Sequence, residues 1–227
     1  MIDQIYIINL DEAVDRRRRI EIQLTKLNVK NYTFFKAIRP PIDILNNYPN
    51  FSKDTPENIR RNEFGCLLSH IGAMKDALHN NYETIIIFED DVVVLDVDFI
   101  EKTKASIISL KNNFDVLLLG ANHKRPAKRK ILDGIYECTT SNSALAYCIQ
   151  RKTMNRFIID YPYKLPWDIH WRKFDKASPI KFYCLIPHLV NITDIISTIQ
   201  ETMTNYSTSI LNSQHILLQG YNPSPLS

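Results

Sequence analysis

Thr84-Ile85-Ile86-Ile87-Phe88 runs directly into Glu89-Asp90-Asp91, and Val92-Val93-Val94 follows. The five leading residues are β-branched or aromatic and read as a buried strand. An unpaired buried carboxylate is very costly, so three consecutive acids at the tip of a core strand call for a cation or for hydrogen-bond donors. In open α/β sheets, ligands bind beyond the carboxyl ends of the strands. That position suits a hard divalent ion, which takes oxygen ligands and bridges a protein to a phosphate.

Outward from this strand, helix and strand patterns alternate. Gln4 to Asn9 is a nearly continuous apolar run, as expected of a parallel strand covered on both faces. Asp11 is placed to cap a helix carrying Ile20, Leu24 and Leu27 at helical spacing. Tyr32 to Ala37 predicts a second strand, and residues 38–58, with four prolines, predict a long loop. A helix opening at or before Asn62 carries Leu67, Leu68, Ile71, Met74, Ala77 and Leu78. Beyond the acidic triplet come a helix near 99–110, strands at 115–119, 134–138 and 144–149, a helix near 152–160, and a last strand at 181–186. The pattern predicts an α/β three-layer domain with a mixed, mostly parallel sheet flanked by helices.

The chain of 227 residues, 44% hydrophobic and 23% charged, suits one sizeable α/β domain. A net charge of +3 together with an acidic site argues against nucleic acid as a partner, although basic residues cluster at Arg16 to Arg19, Arg60-Arg61 and Lys124 to Lys130. No stretch approaches the ~20 apolar residues of a membrane helix. The first ten residues lack the basic start and cleavage site of a secretory signal. A cytoplasmic protein is therefore expected, with peripheral membrane contact through the basic loop 122–130 left open. Cys66, Cys138, Cys148 and Cys184 form no CxxC pair, and read as small buried residues rather than a zinc site or a disulfide framework. None of the 5 glycines lies in a phosphate-binding Gly-rich loop.

Three segments converge if the sheet is mostly parallel: Ile8-Asn9-Leu10-Asp11 with Arg16 and Arg17 close behind, Glu63-Phe64-Gly65-Cys66-Leu67-Leu68-Ser69-His70, and Glu89-Asp90-Asp91. On a helix, Glu63 and His70 share one face two turns apart. The set supplies carboxylates for a metal, cations for a pyrophosphate, and polar groups for a base or ribose.

In this order, I-N-L, E-x-G-C-x-x-S-H and an apolar strand into E-D-D resemble glycosyltransferase family 25, the lipooligosaccharide β-galactosyltransferase and procollagen galactosyltransferase family. The similarity continues through Asp115-Val116-Leu117-Leu118-Leu119-Gly120, Ala146-Tyr147-Cys148-Ile149 and Pro166-Trp167-Asp168, and so covers roughly 5–187. The chain departs from the family pattern in its four-arginine run, its basic loop and its aromatic-rich Trp167-Asp168-Ile169-His170-Trp171.

The resemblance implies a single GT-A type domain over 1–204, with a donor half of about 1–95, an acceptor half of about 96–204 and a tail from 205 to 227. It implies an inverting enzyme that uses a UDP-sugar and Mn²⁺ or Mg²⁺ to glycosylate a glycan or glycoprotein acceptor, in a bacterial surface-glycan pathway or a virus. Asp91 would bind the metal with Glu89, and His170 and His188 are candidate third ligands. Glu89, Asp90, Asn9, the Leu10 backbone, Arg16 or Arg17, Glu63, Ser69 and His70 would meet the donor. Asp168 would take the acceptor proton, with Trp167 and Trp171 stacking on sugars. Plainer readings stay open: Asn9 as a turn residue, the arginines as a solvated helix face, Asp168 as a helix cap, and Ser69 and His70 as an internal network. A catalytically silent binding module also stays open.

Overall fold

The computed structural model describes residues 1–47, 56–138, 142–159, 166–169, 180–193 and 206–219. Strand β1 (Gln4–Asn9) is buried along its whole length, and pairs in parallel with β2 (Tyr32–Lys36) on one side and β3 (Thr84–Glu89) on the other. Beyond β3 lie β8 (Asn142–Gln150), β5 (Val116–Asn122), β9 (Phe182–Leu185), β7 (Ile135–Glu137) and β6 (Arg129–Leu132), giving the order β2-β1-β3-β8-β5-β9-β7-β6. β8 runs antiparallel between β3 and β5, and β7 runs antiparallel to β9. A two-stranded antiparallel ribbon joins β4 (Val92–Val94) to β10 (Val190–Ile192).

Alternate residues of the central strands feed two apolar layers. On one face Tyr6, Ile8, Ile85, Ile87 and Leu118 pack with Leu67, Ile71 and Met74 of α2 (Glu57–His79) and with Met154 and Phe157 of α4 (Arg151–Ile159). On the other, Ile5, Ile7, Ile86 and Phe88 pack with Ile20 and Leu24 of α1 (Val14–Lys26) and with Phe99 and Ile107 of α3 (Phe99–Ser109). Burying both faces is what a non-alternating strand such as β3 demands. The result is the expected α/β, GT-A type arrangement: a mixed, mostly parallel sheet flanked by helices.

Several local expectations are corrected. α1 starts at Val14 with Ala13 as its cap residue and no side-chain cap bond; Asp11 instead pairs with Lys36 at 2.5 Å. Val92 to Val94, the apolar run after the acids, forms a separate strand that pairs with β10, a strand the sequence reading did not place. The basic loop remains irregular over 123–128 and enters the β6–β7 hairpin only at Arg129 and Lys130, where Lys130 pairs with Asp133 at the turn and Arg129 with Glu137 across it. In the stretch from 205, which has a helix-compatible sequence, lies α5 (Tyr206–Leu217), which buries Ile210 and Leu217 and donates a hydrogen bond from Ser213 Oγ to the Ala121 carbonyl.

Candidate active site

The carboxyl ends of β1 and β3, the N-terminal half of α2, the start of β8 and the segment 166–168 enclose a cleft of about 270 Å³. Leu10, Arg16, Glu63, Ser69, His70, Glu89, Asp90, Asp91 and Asp168 all line it. Five carboxylates (Glu63, Glu89, Asp90, Asp91, Asp168) face three arginines (Arg16, Arg39, Arg61) there. Arg39 is ion-paired with Glu12 at 2.9 Å and Arg61 donates to the Pro40 carbonyl at 2.6 Å, so five acids face three arginines, one of them already paired outside the cleft.

The acidic triplet divides its work. Asp90 accepts hydrogen bonds from Asn9 Nδ2 at 2.7 Å and from Arg16 Nη1 at 2.7 Å. Burial raises its proton affinity, and Arg16 and Asn9 oppose that rise. Asp91 lies 3.6 Å from the same Arg16 nitrogen, and its Oδ1 is buried with no hydrogen-bond partner. Burial first, then the charges of Glu89 and Asp90, push the Asp91 carboxyl up to about 8, against the pull of Arg16. A buried acid with an unused oxygen and like-charged neighbours fits a divalent cation, which would supply the missing positive charge. Asp91 and Glu89 would hold it, since Asp90 is already committed.

His70 is fully buried on α2 and bridges two layers of the site. Its Nδ1 lies 2.8 Å from Tyr147 Oη and its Nε2 lies 3.4 Å from Glu89 Oε1. An ionised carboxylate only accepts, so Nε2 carries the proton toward Glu89 and Nδ1 accepts from Tyr147. Trp167 stacks on His70 with ring centroids 5.6 Å apart and meets Phe157 edge-on. It is 2% exposed, so its indole supports the histidine rather than presenting a face to a sugar.

The E-x-G-C-x-x-S-H motif thus sorts by helix face. Glu63, Cys66 and His70 face the acids: burial and the charge of Asp168 raise Glu63, and burial with Glu89 nearby raises the Cys66 thiol. Gly65 and Ser69 instead dock the loop after β2. A Cβ on Gly65 would stand 2.5 Å from the Ile38 carbonyl oxygen. Ser69 Oγ accepts the Ile38 N–H at 2.8 Å and donates to the Gly65 carbonyl at 2.6 Å. Ser69→Ala leaves that backbone N–H without its partner and is expected to cost ~1–3 kcal/mol of stability. Thermal melts should register the loss, while affinity for a bound nucleotide stays nearly unchanged; an unshifted melt would remove the docking role.

Other expected site residues land elsewhere. Asn9 is buried and spends its amide on Asp90 and the Ala13 carbonyl, so it orients an acid and does not line the cleft. Arg17 turns away, its guanidinium 4.1 Å over the Phe34 ring and paired with Glu21 at 3.2 Å. His188 is buried against His123, with Nε2 atoms 3.1 Å apart, and does not line the cleft. His170 and Trp171 lie outside the described residues. Asp168 sits inside a helical turn at 167–169 rather than ahead of it, so the cap reading fails. Its Oδ2 accepts from the Ser143 N–H at 3.4 Å, and Ser143 takes a left-handed φ of 73° there. Arg39, Arg61 and Tyr147 are cleft or support residues whose roles the sequence did not disclose; the Arg60-Arg61 pair was visible only as charge.

Fold and cleft together define a GT-A type α/β protein with an acid-lined pocket at the carboxyl edge of its sheet. The chain belongs to glycosyltransferase family 25: the family model described as "Glycosyltransferase family 25 (LPS biosynthesis protein)" matches residues 2–222. A Haemophilus influenzae protein with the name "Putative glycosyltransferase" is 29% identical over 180 residues, 72% of this chain and 59% of that one. A "Procollagen lysyl hydroxylase and glycosyltransferase" of Acanthamoeba polyphaga mimivirus is 28% identical over 179 residues, 70% of this chain and 20% of that one. A mouse "Inactive glycosyltransferase 25 family member 3" is 23% identical over 149 residues, 59% of this chain and 24% of that one. The matches thus span less than two thirds of the length of these relatives. Among solved structures, A197 from STIV is similar in fold, with a TM-score of 0.50, 15% identity and 87% of each chain covered. No helix among the described residues is long and apolar enough to cross a membrane.

Proposed function

We propose that the chain is a metal-dependent, inverting glycosyltransferase that moves a hexose, galactose or glucose, from a UDP-sugar to a hydroxyl of a glycan or protein-linked acceptor. The observation that carries this reading is Asp91: a buried carboxylate at the tip of a core strand, with one oxygen unpartnered, beside two further acids and a single arginine. When bound, Mn²⁺ or Mg²⁺ would neutralise the donor diphosphate and stabilise the departing UDP. Asp91 and Glu89 are the residues placed to hold the ion. Asn9 and Arg16 fix Asp90 beside them, and His70, backed by Tyr147 and Trp167, fixes Glu89. Arg16 also offers charge to a phosphate. Asp168, at the family's P-x-D position, is the carboxylate assigned to the acceptor side, where it takes the hydroxyl proton as the sugar transfers.

The test is a screen of UDP- and GDP-sugars for thermal stabilisation and hydrolysis with and without Mn²⁺. Stabilisation and UDP release that both require the metal are expected with one UDP-hexose. Indifference to every nucleotide sugar would end the proposal. A second reading, a silent domain that binds a nucleotide sugar without turning it over, is favoured by the relative named inactive. Stabilisation without hydrolysis or transfer would select it.

A further inference from the structure

Away from the cleft, His123, Cys138 and Cys184 each bring a ligand atom to within 4.8 Å of the other two, and all three residues are buried. They come from neighbouring strands: His123 follows β5, Cys184 lies in β9 and Cys138 follows β7, in the sheet order β5-β9-β7. His188 adjoins His123, with its Nε2 3.1 Å from Nε2 of that ring. We propose that this cluster is a second, structural metal site, taking zinc(II) through Cys138, Cys184 and His123 with His188 as the fourth ligand.

The donor set is that of zinc, which takes thiolate sulfur and imidazole nitrogen in a closed tetrahedron at structural sites. With Zn–N bonds of ~2.0–2.1 Å, two imidazole nitrogens on one ion stand ~3.3 Å apart, close to the His123–His188 separation. Charge favours the ion as well. Two thiolates and Zn²⁺ sum to zero, so the loaded cluster suits an apolar interior, whereas either thiolate alone would be an unpaired buried charge. Binding displaces two thiol protons to solvent and forms two Zn–S bonds, with no change of oxidation state. Beyond its contact with His123, the buried His188 ring has no partner at Nδ1, which leaves it able to reorient toward an ion. Two thiolates and two imidazoles favour a softer ion than the carboxylates of Asp91 and Glu89 proposed for the cleft. The inference is independent of the proposed activity.

Cobalt(II) titration of the full chain, produced without a polyhistidine tag, tests it. One equivalent should give the thiolate-to-cobalt charge-transfer band and tetrahedral ligand-field bands, both erased by zinc, and purified protein should carry one zinc per chain. Cys184→Ser and His123→Ala should abolish the bands, and Asp91→Asn should retain them. Should those variants misfold, the wild-type chain still decides: zinc should protect Cys138 and Cys184, but not Cys66, from alkylation. Absence of the bands in the wild-type chain, or a Cys138–Cys184 disulfide seen as loss of two hydrogens, would overturn the site.

Discussion

Replacing Asp91 with asparagine is expected to lower donor turnover about 10³-fold while making the metal-free protein more stable. The loss of activity follows from the metal role: Lewis-acid and template effects contribute several kcal/mol, and each ~1.4 kcal/mol is tenfold in rate. The gain in stability follows from the carboxyl's position in the metal-free fold. Its ordinary value is 3.8 and in the folded chain it rises to about 8, because burial and the charges of Glu89 and Asp90 disfavour ionisation. A raised folded value means the native state holds a proton that the unfolded state releases. The associated stability is therefore complete below the ordinary value and is lost steadily as pH rises through about 8. By pH 7 the loss is on the order of a few kcal/mol. Asparagine keeps the shape and removes the titration. In chelator, wild-type melting temperature should fall between pH 5 and pH 8 while that of Asp91→Asn stays nearly flat. Mn²⁺ should flatten the wild-type profile by binding the ionised form. A flat wild-type profile in chelator, or a variant that still turns over donor, would remove Asp91 from the metal role.

This opposition between function and stability explains what was readable in the sequence. β3 announced itself because a run of β-branched residues ending in acids is locally inconsistent unless a ligand intervenes. The faces of α2 were also legible in Glu63 and His70, since helical spacing alone puts them together. Roles set by long-range contacts were not. Ser69 docks Ile38, and nothing near either residue reveals the other. Asn9 was placed at the right strand end, yet its partner Asp90 arrives through the β1–β3 pairing, and so its amide serves the acid rather than the ligand. Of four consecutive arginines only Arg16 enters the cleft, because α1 buries the Ile20 and Leu24 stripe and carries its neighbours elsewhere around the helix. The His123, Cys138 and Cys184 cluster was hidden for a topological reason: β9 enters between β5 and β7, so residues remote in sequence meet across adjacent strands.

Replacing Asp168 with asparagine separates donor handling from transfer. Its carboxylate lines the same cleft as Asp91, sits close enough to raise Glu63 and Cys66, and accepts a hydrogen bond from the N–H of Ser143, on β8. The left-handed backbone of Ser143 (φ 73°) turns that N–H toward the acid, a local strain of the kind proteins retain at working sites. Asparagine preserves an oxygen for the Ser143 N–H but loses the negative charge and the capacity to take a proton. Transfer to acceptor should therefore fall ~10²–10⁴-fold, the usual contribution of a general base. Thermal stabilisation by donor and Mn²⁺ should be retained, because the proposed metal and diphosphate ligands are Asp91, Glu89 and Arg16, not Asp168. Asp168→Glu keeps a carboxylate at a shifted position and should recover part of the rate, together with the acidic limb of the pH–rate profile that Asp168→Asn loses. A structural support would behave otherwise: both variants would lower donor affinity and melting temperature together, with the shape of the pH profile unchanged. The transferred sugar gives an independent readout, since one direct displacement inverts the anomeric centre. A product that retains the donor's configuration would exclude Asp168 as the base of a single displacement.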